Sequence, residues 1–207
     1  MRALVAIAAL LALAACGSKA IESKPPKQRP NDWRQIVSQE DRDRLARWRA
    51  AWMTGLDKAK VAGNGPQIAA QGALLKPDLA LDDPLPPFGD YSCRVFKMGA
   101  QSGATLDYVA YPAFTCRVTM DEGRLHFAKV DGSQRPVGDI FPDEGSRMIF
   151  LGAMVLGDEA RPLRYGRSAE RDMVGIVERV GPRRWRIAFP CPHRESTIDV
   201  LELIPKG

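Results

Sequence analysis

Histidine, cysteine and long apolar runs are scarce in this chain of 207 residues, and each scarcity removes classes of protein. It contains 2 histidines and 4 cysteines. The longest apolar run covers residues 3–15, which is too short to cross a bilayer as a helix. The sequence also lacks a Gly-x-Ser-x-Gly elbow, a phosphate-cradling glycine loop and a His-Glu-x-x-His pair. We therefore expect no enzyme activity, no cofactor and no metal ion.

One segment, Pro190-Cys191-Pro192-His193, places a thiol and an imidazole two residues apart. In an extended chain the two side chains share a face, so a nucleophile with its base is conceivable. Two prolines flank the thiol, however, and no third group to orient the imidazole can be identified. One cysteine and one histidine also do not complete a tetrahedral metal site. We interpret the segment as structural and predict no catalytic residue.

The positive charge of the chain is concentrated near its N-terminus. Five of the 30 basic residues and one of the 25 acidic residues precede Asn31, so the remainder carries 25 against 24. A nearly neutral folded region argues against a nucleic-acid partner. The basic segment before it would be attracted to anionic lipid headgroups, at about 1 kcal/mol per charge near the surface.

The first 16 residues resemble the signal of a bacterial lipoprotein. Met1-Arg2 is a short basic start, residues 3–15 are apolar, and Leu13-Ala14-Ala15-Cys16 is similar to a lipobox. The resemblance implies a diacylglyceryl group on Cys16, cleavage before it and acylation of the new amine. Because Gly17 and not aspartate follows, lipoprotein sorting rules imply the outer membrane. An ordinary signal peptide is the alternative to this lipid-anchored periplasmic location.

Composition divides the chain into four parts. Residues 1–15 are the signal peptide, and residues 16–31 are the lipidated cysteine with a flexible basic tether that contains three prolines and no apolar periodicity. Residues 32–88 form a helical segment with a proline-rich connector. Residues 89–207 show strand-like alternation and form a β domain.

An amphipathic helix is predicted in the third part. Ser38 and Asp41 have the spacing of a capping box, and apolar residues recur at three- and four-residue steps until Gly63-Asn64-Gly65-Pro66. These recurring residues are Leu45, Trp48, Trp52, Leu56 and Ala59. The tryptophans favour packing on a core, although a membrane-facing or partner-facing surface is the alternative.

The fourth part contains about eight short apolar or alternating segments separated by turn signals. They are residues 91–98, 114–120, 125–127, 137–141, 148–156, 173–180, 185–189 and 197–204. No room remains between them for crossover helices, which favours an antiparallel meander. The predicted fold is α+β and mainly β, with the N-terminal helix packed on a small closed or partly open barrel, lipocalin-like, or on a sandwich.

Cys93 and Cys116 occur in matching contexts, each with an aromatic residue two positions before and a valine two positions after. Both would face the same interior, so an oxidising periplasm favours a disulfide between them. Such a bridge closes a loop of about two dozen residues and contributes roughly 3 kcal/mol. It leaves Cys191 reduced.

Candidate binding residues fall in three segments. The polar residues 161–172 could hold an anionic ligand or a protein partner, or could form a solvated loop with internal salt bridges. Two tyrosines near residue 110 could provide contact area or cover one end of the core. A turn at residues 132–136 would join a site only if the other segments converge on it. The candidates are Tyr108, Tyr111, Arg135, Arg164, Arg167, Glu170 and Arg171.

Seven short runs form a recognisable set. They are Gly89-Asp90-Tyr91-Ser92-Cys93-Arg94-Val95, Leu106-Asp107-Tyr108-Val109-Ala110-Tyr111-Pro112, Gly132-Ser133-Gln134-Arg135-Pro136-Val137-Gly138, Phe150-Leu151-Gly152, Leu156-Gly157-Asp158-Glu159, Glu170-Arg171-Asp172-Met173 and Gly181-Pro182-Arg183-Arg184-Trp185-Arg186. Together they resemble a family of Gram-negative envelope lipoproteins that contain a domain of unknown function. The similarity covers residues 32–204 and implies no activity and no binding residues.

These observations predict a membrane-tethered, non-catalytic binding module. Its ligand would be a small apolar or amphipathic envelope molecule held in the interior or at the open end of the β domain. The alternative is an envelope lipoprotein that inhibits or binds a protein partner.

Overall fold

The computed structural model describes residues 30–101 and 106–207. The predicted signal peptide, the predicted lipidation site at Cys16 and the tether up to residue 29 lie outside these described residues. Within them the fold is mainly β, as the alternating sequence predicts. None of the helices described is long and apolar enough to cross a membrane.

The described residues contain nine strands. The eight predicted segments all lie in strands, and one further strand of three residues was not predicted. The strands are β1 (Gly89–Ala100), β2 (Tyr108–Ala110), β3 (Phe114–Asp121), β4 (Arg124–Lys129), β5 (Gln134–Pro142), β6 (Arg147–Leu156), β7 (Asp172–Gly181), β8 (Arg184–Pro190) and β9 (Ser196–Pro205).

Eight of these strands form a closed antiparallel barrel. Each strand from β3 to β8 pairs with the one that follows it, and β9 pairs with β1 from Ala100↔Ser196 to Tyr91↔Pro205. The other edge of β1 is shared, because its first half pairs with β3 and its second half with the extra strand β2. Closure leaves no long free edge, and it excludes the sandwich alternative.

Large side chains fill the barrel interior. Phe127, Phe150 and Phe189 stack edge to face, with ring centroids 5.9 and 5.6 Å apart. Tyr91 and Trp185 are buried in the same cluster. The cavity between Met154 and Phe189 has only about 30 Å³, whereas sites for drug-sized ligands have roughly 300–1,000 Å³. This part of the interior is therefore a packed core.

Two glycines allow β5 and β6 to approach closely. Gly138 pairs with Gly152, and a Cβ atom placed on Gly138 would lie 2.3 Å from the Cα atom of Gly152. Real Cβ atoms do not tolerate that distance from backbone, so only glycine fits here.

The helical segment lies on the outer wall of the barrel. Ser38 caps the first helix, α1 (Gln39–Ala46), by accepting a hydrogen bond from the backbone N–H of Asp41, as predicted. The predicted single helix is interrupted at Arg47, which allows α1 to contact β7 while α2 (Trp48–Ala59) contacts β1 and β9. The elements are a 3₁₀ helix (Trp33–Gln35), α1 (Gln39–Ala46), α2 (Trp48–Ala59), a π-helical turn (Lys60–Asn64), α3 (Gly65–Ala69) and a second 3₁₀ helix (Gly72–Leu75).

The tryptophan stripe packs on a core. Trp52 is fully buried, and its indole donates to the backbone oxygen of Leu75. Around it, α2 covers outward-facing residues of β1 and β9, including Phe96 and Val200. The helical segment therefore adds a second apolar layer outside the barrel, and the stripe is not available as a membrane-facing surface.

The predicted disulfide between Cys93 and Cys116 is present, with their Cα atoms 5.9 Å apart. Both cysteines are buried in the barrel interior, where β1 pairs with β3. Cys191 is free and half-buried at the end of β8.

Candidate functional site

A groove of about 510 Å³ lies on the outer wall of the barrel. Its floor is formed by β4, β5 and β6, and one wall is the loop between β6 and β7, residues 157–171. We call it the outer groove. Its volume falls within the range typical of small-molecule sites.

The floor of the outer groove contains both apolar and polar side chains. Phe141 and Leu151 are buried outward-facing residues that line it, and Ile36 extends the floor from the segment before α1. Leu163 on the loop is 45% exposed and lines the same space. Phe141 and Leu151 are each only 2% exposed, so the apolar surface that the groove presents to solvent comes mainly from Ile36 and Leu163.

A polar cluster that the sequence analysis missed lies along the groove. Asp139 on β5 accepts from His126, Nδ1 to Oδ1 at 2.9 Å, and from Arg124, Nη1 to Oδ2 at 3.4 Å. Burial acts to raise the pKa of Asp139, but the hydrogen bonds and charges of His126 and Arg124 outweigh it and lower this pKa. The carboxylate is therefore ionised and internally neutralised.

Two of the predicted arginines point to the same groove. Arg164 and Arg167 line it and are exposed, and neither side chain has a hydrogen bond or ion pair within the described part of the chain. Between them, Tyr165 turns toward α1, where its hydroxyl donates to Asp41 and accepts from the N–H of Ser38 at 3.0 Å. Tyr165 thereby fixes the loop while the two guanidinium groups remain unpaired.

Arg135 and Arg171 brace the loop internally. Arg135 donates to the backbone oxygens of Gly157 and Glu159 at 2.6 and 2.9 Å. Arg171 forms an ion pair with the carboxylate of Glu159 at 3.1 Å. These two residues therefore stabilise the loop through internal hydrogen bonds and an ion pair, which is the alternative to a binding role.

The remaining candidates lie elsewhere. Tyr108 on β2 packs against the helical layer, with its hydroxyl buried and without a hydrogen-bond partner in the described residues. Tyr111 and Glu170 line separate cavities at the end of the barrel where β9 begins. The three predicted segments therefore meet in part: Gln134, in the turn at residues 132–136, lines both the cavity that includes Tyr111 and the cavity that includes Glu170. Tyr108, Arg164 and Arg167 lie away from this end of the barrel.

We call that end of the barrel the barrel mouth. There the Nζ atom of Lys97 lies 2.6 Å from Glu195, 3.0 Å from Gln134 and 3.5 Å from Asp199. Burial raises the pKa of the Asp199 carboxyl. Lys97 and its three partners therefore form a polar network at the barrel mouth, next to the apolar interior.

In the described residues, no acidic side chain hydrogen-bonds to His193 and orients it toward Cys191. His193 lies with its Nε2 atom 3.4 Å from Nη1 of Arg44, and Cys191 makes no side-chain hydrogen bond in the region described. Among residues 30–101 and 106–207, no three histidine, cysteine, aspartate or glutamate side chains are grouped to hold a metal ion.

The polar cluster predicts an acid-dependent stability. A carboxyl whose pKa is lowered by folding stabilises the protein above its unfolded pKa of about 3.9, and that contribution is lost as the pH falls through the folded value. We expect Asp139→Asn to lower the free energy of unfolding by about 1 kcal/mol at pH 7 and by progressively less below pH 4. Urea unfolding across this pH range measures the difference.

Asp121→Asn provides the control, because Asp121 lines the same groove and has no ion pair in the described structure. It should change stability little at any pH. A loss in Asp139→Asn that stays constant from pH 7 to pH 3 would contradict the assigned charge interactions.

The comparisons with known proteins identify a family without an assigned activity. The family described as "Domain of unknown function (DUF4893)" matches residues 33–203, from the first 3₁₀ helix into β9. No curated protein and no solved structure matches the chain. The match confirms the resemblance to a domain of unknown function and transfers no ligand or site residue. The chain belongs to the DUF4893 family.

Proposed function

We propose that this protein is a lipid-anchored, non-catalytic binding module of the cell envelope. It holds an amphipathic molecule with one acidic group in the outer groove. The observation that carries this proposal is that accessible apolar side chains and the two unpaired guanidinium groups of Arg164 and Arg167 line the same groove. An apolar portion of the ligand would cover Ile36 and Leu163, and the acidic group would bind the loop arginines.

The charges around the groove favour a single acidic group. Arg124 and His126 are already engaged with Asp139, so only the loop side offers unpaired positive charge. Asp121 on the far rim would repel a second anionic group. A guanidinium binds a phosphate or carboxylate through two parallel hydrogen bonds, which gives the ligand a defined orientation.

The position of the site outside the barrel follows from packing. The barrel is lipocalin-like in its eight antiparallel strands, but aromatic side chains occupy its interior. The outer groove has a volume of about 510 Å³, whereas the cavity in the barrel interior has about 30 Å³.

The envelope location is supported by sequence and by the disulfide. Cys93–Cys116 is typical of proteins that fold in oxidising compartments. Pro30 lines the outer groove and lies 14 residues after Cys16 in the sequence. Fourteen residues span at most about 50 Å, so an anchor on Cys16 would keep the groove near the membrane surface.

Lipidation is tested by Cys16→Ser. We expect the native chain to incorporate labelled palmitate and to sediment with membranes, and the variant to lose the label and to appear in the soluble periplasmic fraction. Equal membrane association of both forms would contradict an anchor at Cys16.

Binding in the groove is tested by calorimetric titration with octyl phosphate and with the uncharged octyl glucoside. We expect octyl phosphate to bind and the Arg164→Ala/Arg167→Ala double variant to weaken it about tenfold or more, since two charge-assisted contacts are lost. Arg161→Ala is the control, because Arg161 is exposed on the same loop and does not line the groove. Equal binding of the two detergents, or no effect of the double variant, would refute the proposal.

A second candidate function, inhibition or binding of a protein partner, is favoured by the connector before β1. Within ten residues it exposes Leu79, Leu81, Leu85 and Phe88, each by more than 40%. Exposed apolar clusters often mark protein interfaces. Lysozyme activity measured with excess protein tests this candidate: inhibition should occur and should be lost in Leu85→Ser/Phe88→Ser, and unchanged activity would dismiss it.

A further inference from the structure

A second, partly open cavity lies at the barrel mouth, separate from the outer groove. It has a volume of about 50 Å³, and we call it the mouth cavity. Its wall is formed by side chains from α1, from β1, β5, β6, β7 and β9, and from the loops before β7 and β9. The ones used below are Arg44, Met154, Leu156, Met173, His193 and Arg194.

Arg44 is incompletely satisfied. Its side chain is 4% exposed, its Nε atom donates to the backbone oxygen of Pro190 at 3.3 Å, and its Nη1 atom donates to Asp41 at 2.7 Å. Its Nη2 atom is buried and has no hydrogen-bond partner in the part of the chain that the structure describes. A buried charged donor left without an acceptor is destabilising, so an acceptor supplied in the cavity would be favoured.

Part of the wall is apolar, where Met154, Leu156 and Met173 line the cavity. Six polar residues line it as well: Lys97, Gln134, Glu170, Arg171, Asp172 and Asp199. Lys97 is engaged with Glu195 and Asp199, and Arg171 with Glu159. Arg194 is exposed at the entrance, and its side chain forms no hydrogen bond or ion pair among the residues described. The cavity therefore combines one buried donor without an acceptor, an apolar portion of wall, charged groups that are partly neutralised by pairing, and one unpaired guanidinium at its opening.

The size of the space limits the ligand. One water-sized group needs about 10–15 Å³ of such volume, so the mouth cavity holds about four heavy atoms. The interior cavity of about 30 Å³ shares Met154 and Met173 with it and adds room for about two more. Methionine side chains are flexible and can rearrange to join the two spaces.

We propose that the mouth cavity binds a short aliphatic carboxylate of two to four carbons. The carboxylate accepts a hydrogen bond from Nη2 of Arg44, and the aliphatic chain lies between Met154 and Met173. This site is independent of the outer groove and of the ligand proposed there.

Calorimetric titration of the full chain with acetate, propionate, butyrate and hexanoate at constant ionic strength tests the proposal. Affinity should increase from acetate to butyrate and decrease for hexanoate, which exceeds the space. Arg44→Lys retains a charge beside Asp41 but lacks the second nitrogen, so it should weaken butyrate at least tenfold. Arg42→Lys, on the same helix but exposed, should stay within twofold.

A second variant protects the test against misfolding. If Arg44→Lys does not fold, Leu156→Trp replaces it in the test. Leu156 is half-buried and lines the cavity, so the larger indole should fill the space and abolish butyrate binding. The titrations are carried out in the Arg164→Ala/Arg167→Ala background, so that a carboxylate bound in the outer groove does not contribute to the signal. Failure of butyrate to bind, water alone at Arg44 in crystals grown with butyrate, or equal affinity for butanol or inorganic phosphate would each overturn the proposal.

Discussion

Replacement of Arg186 by alanine is expected to lower the free energy of unfolding by about 3–5 kcal/mol, the usual loss when one partner of a buried ion pair is removed. Arg186 projects outward from β8 and is fully buried beneath the helical layer. Its Nε atom lies 2.7 Å from Glu178, and its guanidinium stacks 4.5 Å from the ring centroid of Trp52. One side chain therefore joins the barrel wall to the segment that covers it.

The same guanidinium also donates hydrogen bonds to backbone oxygens of the segment that follows α3. The segment after α3 turns toward the connector and directs its carbonyl groups inward, where Arg186 donates to four of them. The acceptors are the oxygens of Ala73, Leu74, Lys76 and Pro77, at 2.7–3.1 Å. In the variant the oxygen of Leu74 would remain buried without this donor, and the other three would lose a partly buried hydrogen bond, which adds to the cost of the broken ion pair.

The pH dependence of this loss separates an electrostatic cause from a packing cause. Burial raises the pKa of Glu178 even with Arg186 present, and removal of the arginine would raise it further. A carboxyl with a raised folded pKa stabilises below its unfolded pKa and loses that contribution as the pH rises through the folded value. The penalty in Arg186→Ala should therefore increase from pH 4 to pH 7.

Urea unfolding at several pH values checks both statements. The control is Arg49→Ala, since the ion pair of Arg49 with Asp78 has both side chains more than half exposed and should contribute little to stability. Adding Glu178→Gln to Arg186→Ala should recover part of the loss at pH 7. A loss no larger than that of Arg49→Ala would show that Arg186 does not hold the helical layer.

Arg186 also shows what strand alternation can and cannot predict. Alternation in β8 correctly places Trp185, Ile187 and Phe189 in the interior and Arg186 on the outer wall. It does not reveal that the outer wall is covered at this point, because coverage depends on a helical segment more than 100 residues earlier. All eight predicted strands are present in the structure. The additional strand β2 has only three residues, too few to show alternation, and therefore was not predicted.

The candidate site was predicted in part for a similar reason. Arg164 and Arg167 are recognisable from local charge, and the structure places both in the outer groove. The contact of His126 with Asp139 depends on the register of β4 and β5, in which these two residues are paired. Sequence spacing alone does not fix that register, so a cluster formed by cross-strand neighbours was missed.

Removal of the disulfide is the second change for which a large effect is expected. Cys93→Ala/Cys116→Ala should lower the free energy of unfolding by about 3 kcal/mol, because the bridge closes a loop between residues 23 apart and restricts the unfolded chain. The double variant is needed, since a single variant would leave a thiol able to pair with Cys191. Both sulfurs are buried, so truncation also removes apolar contacts in the barrel interior.

Two comparisons assign the loss to the bridge itself. Cys191→Ala, which removes a half-buried free thiol, should cost less than about 1 kcal/mol. Wild type unfolded in the presence of a reductant should match the double variant, and a reductant should not change the double variant. If reduction leaves wild-type stability unchanged, the bridge does not stabilise the fold. If it lowers stability as expected, the barrel attains its full stability only in an oxidising compartment, which is where the lipobox-like segment at Cys16 would deliver it.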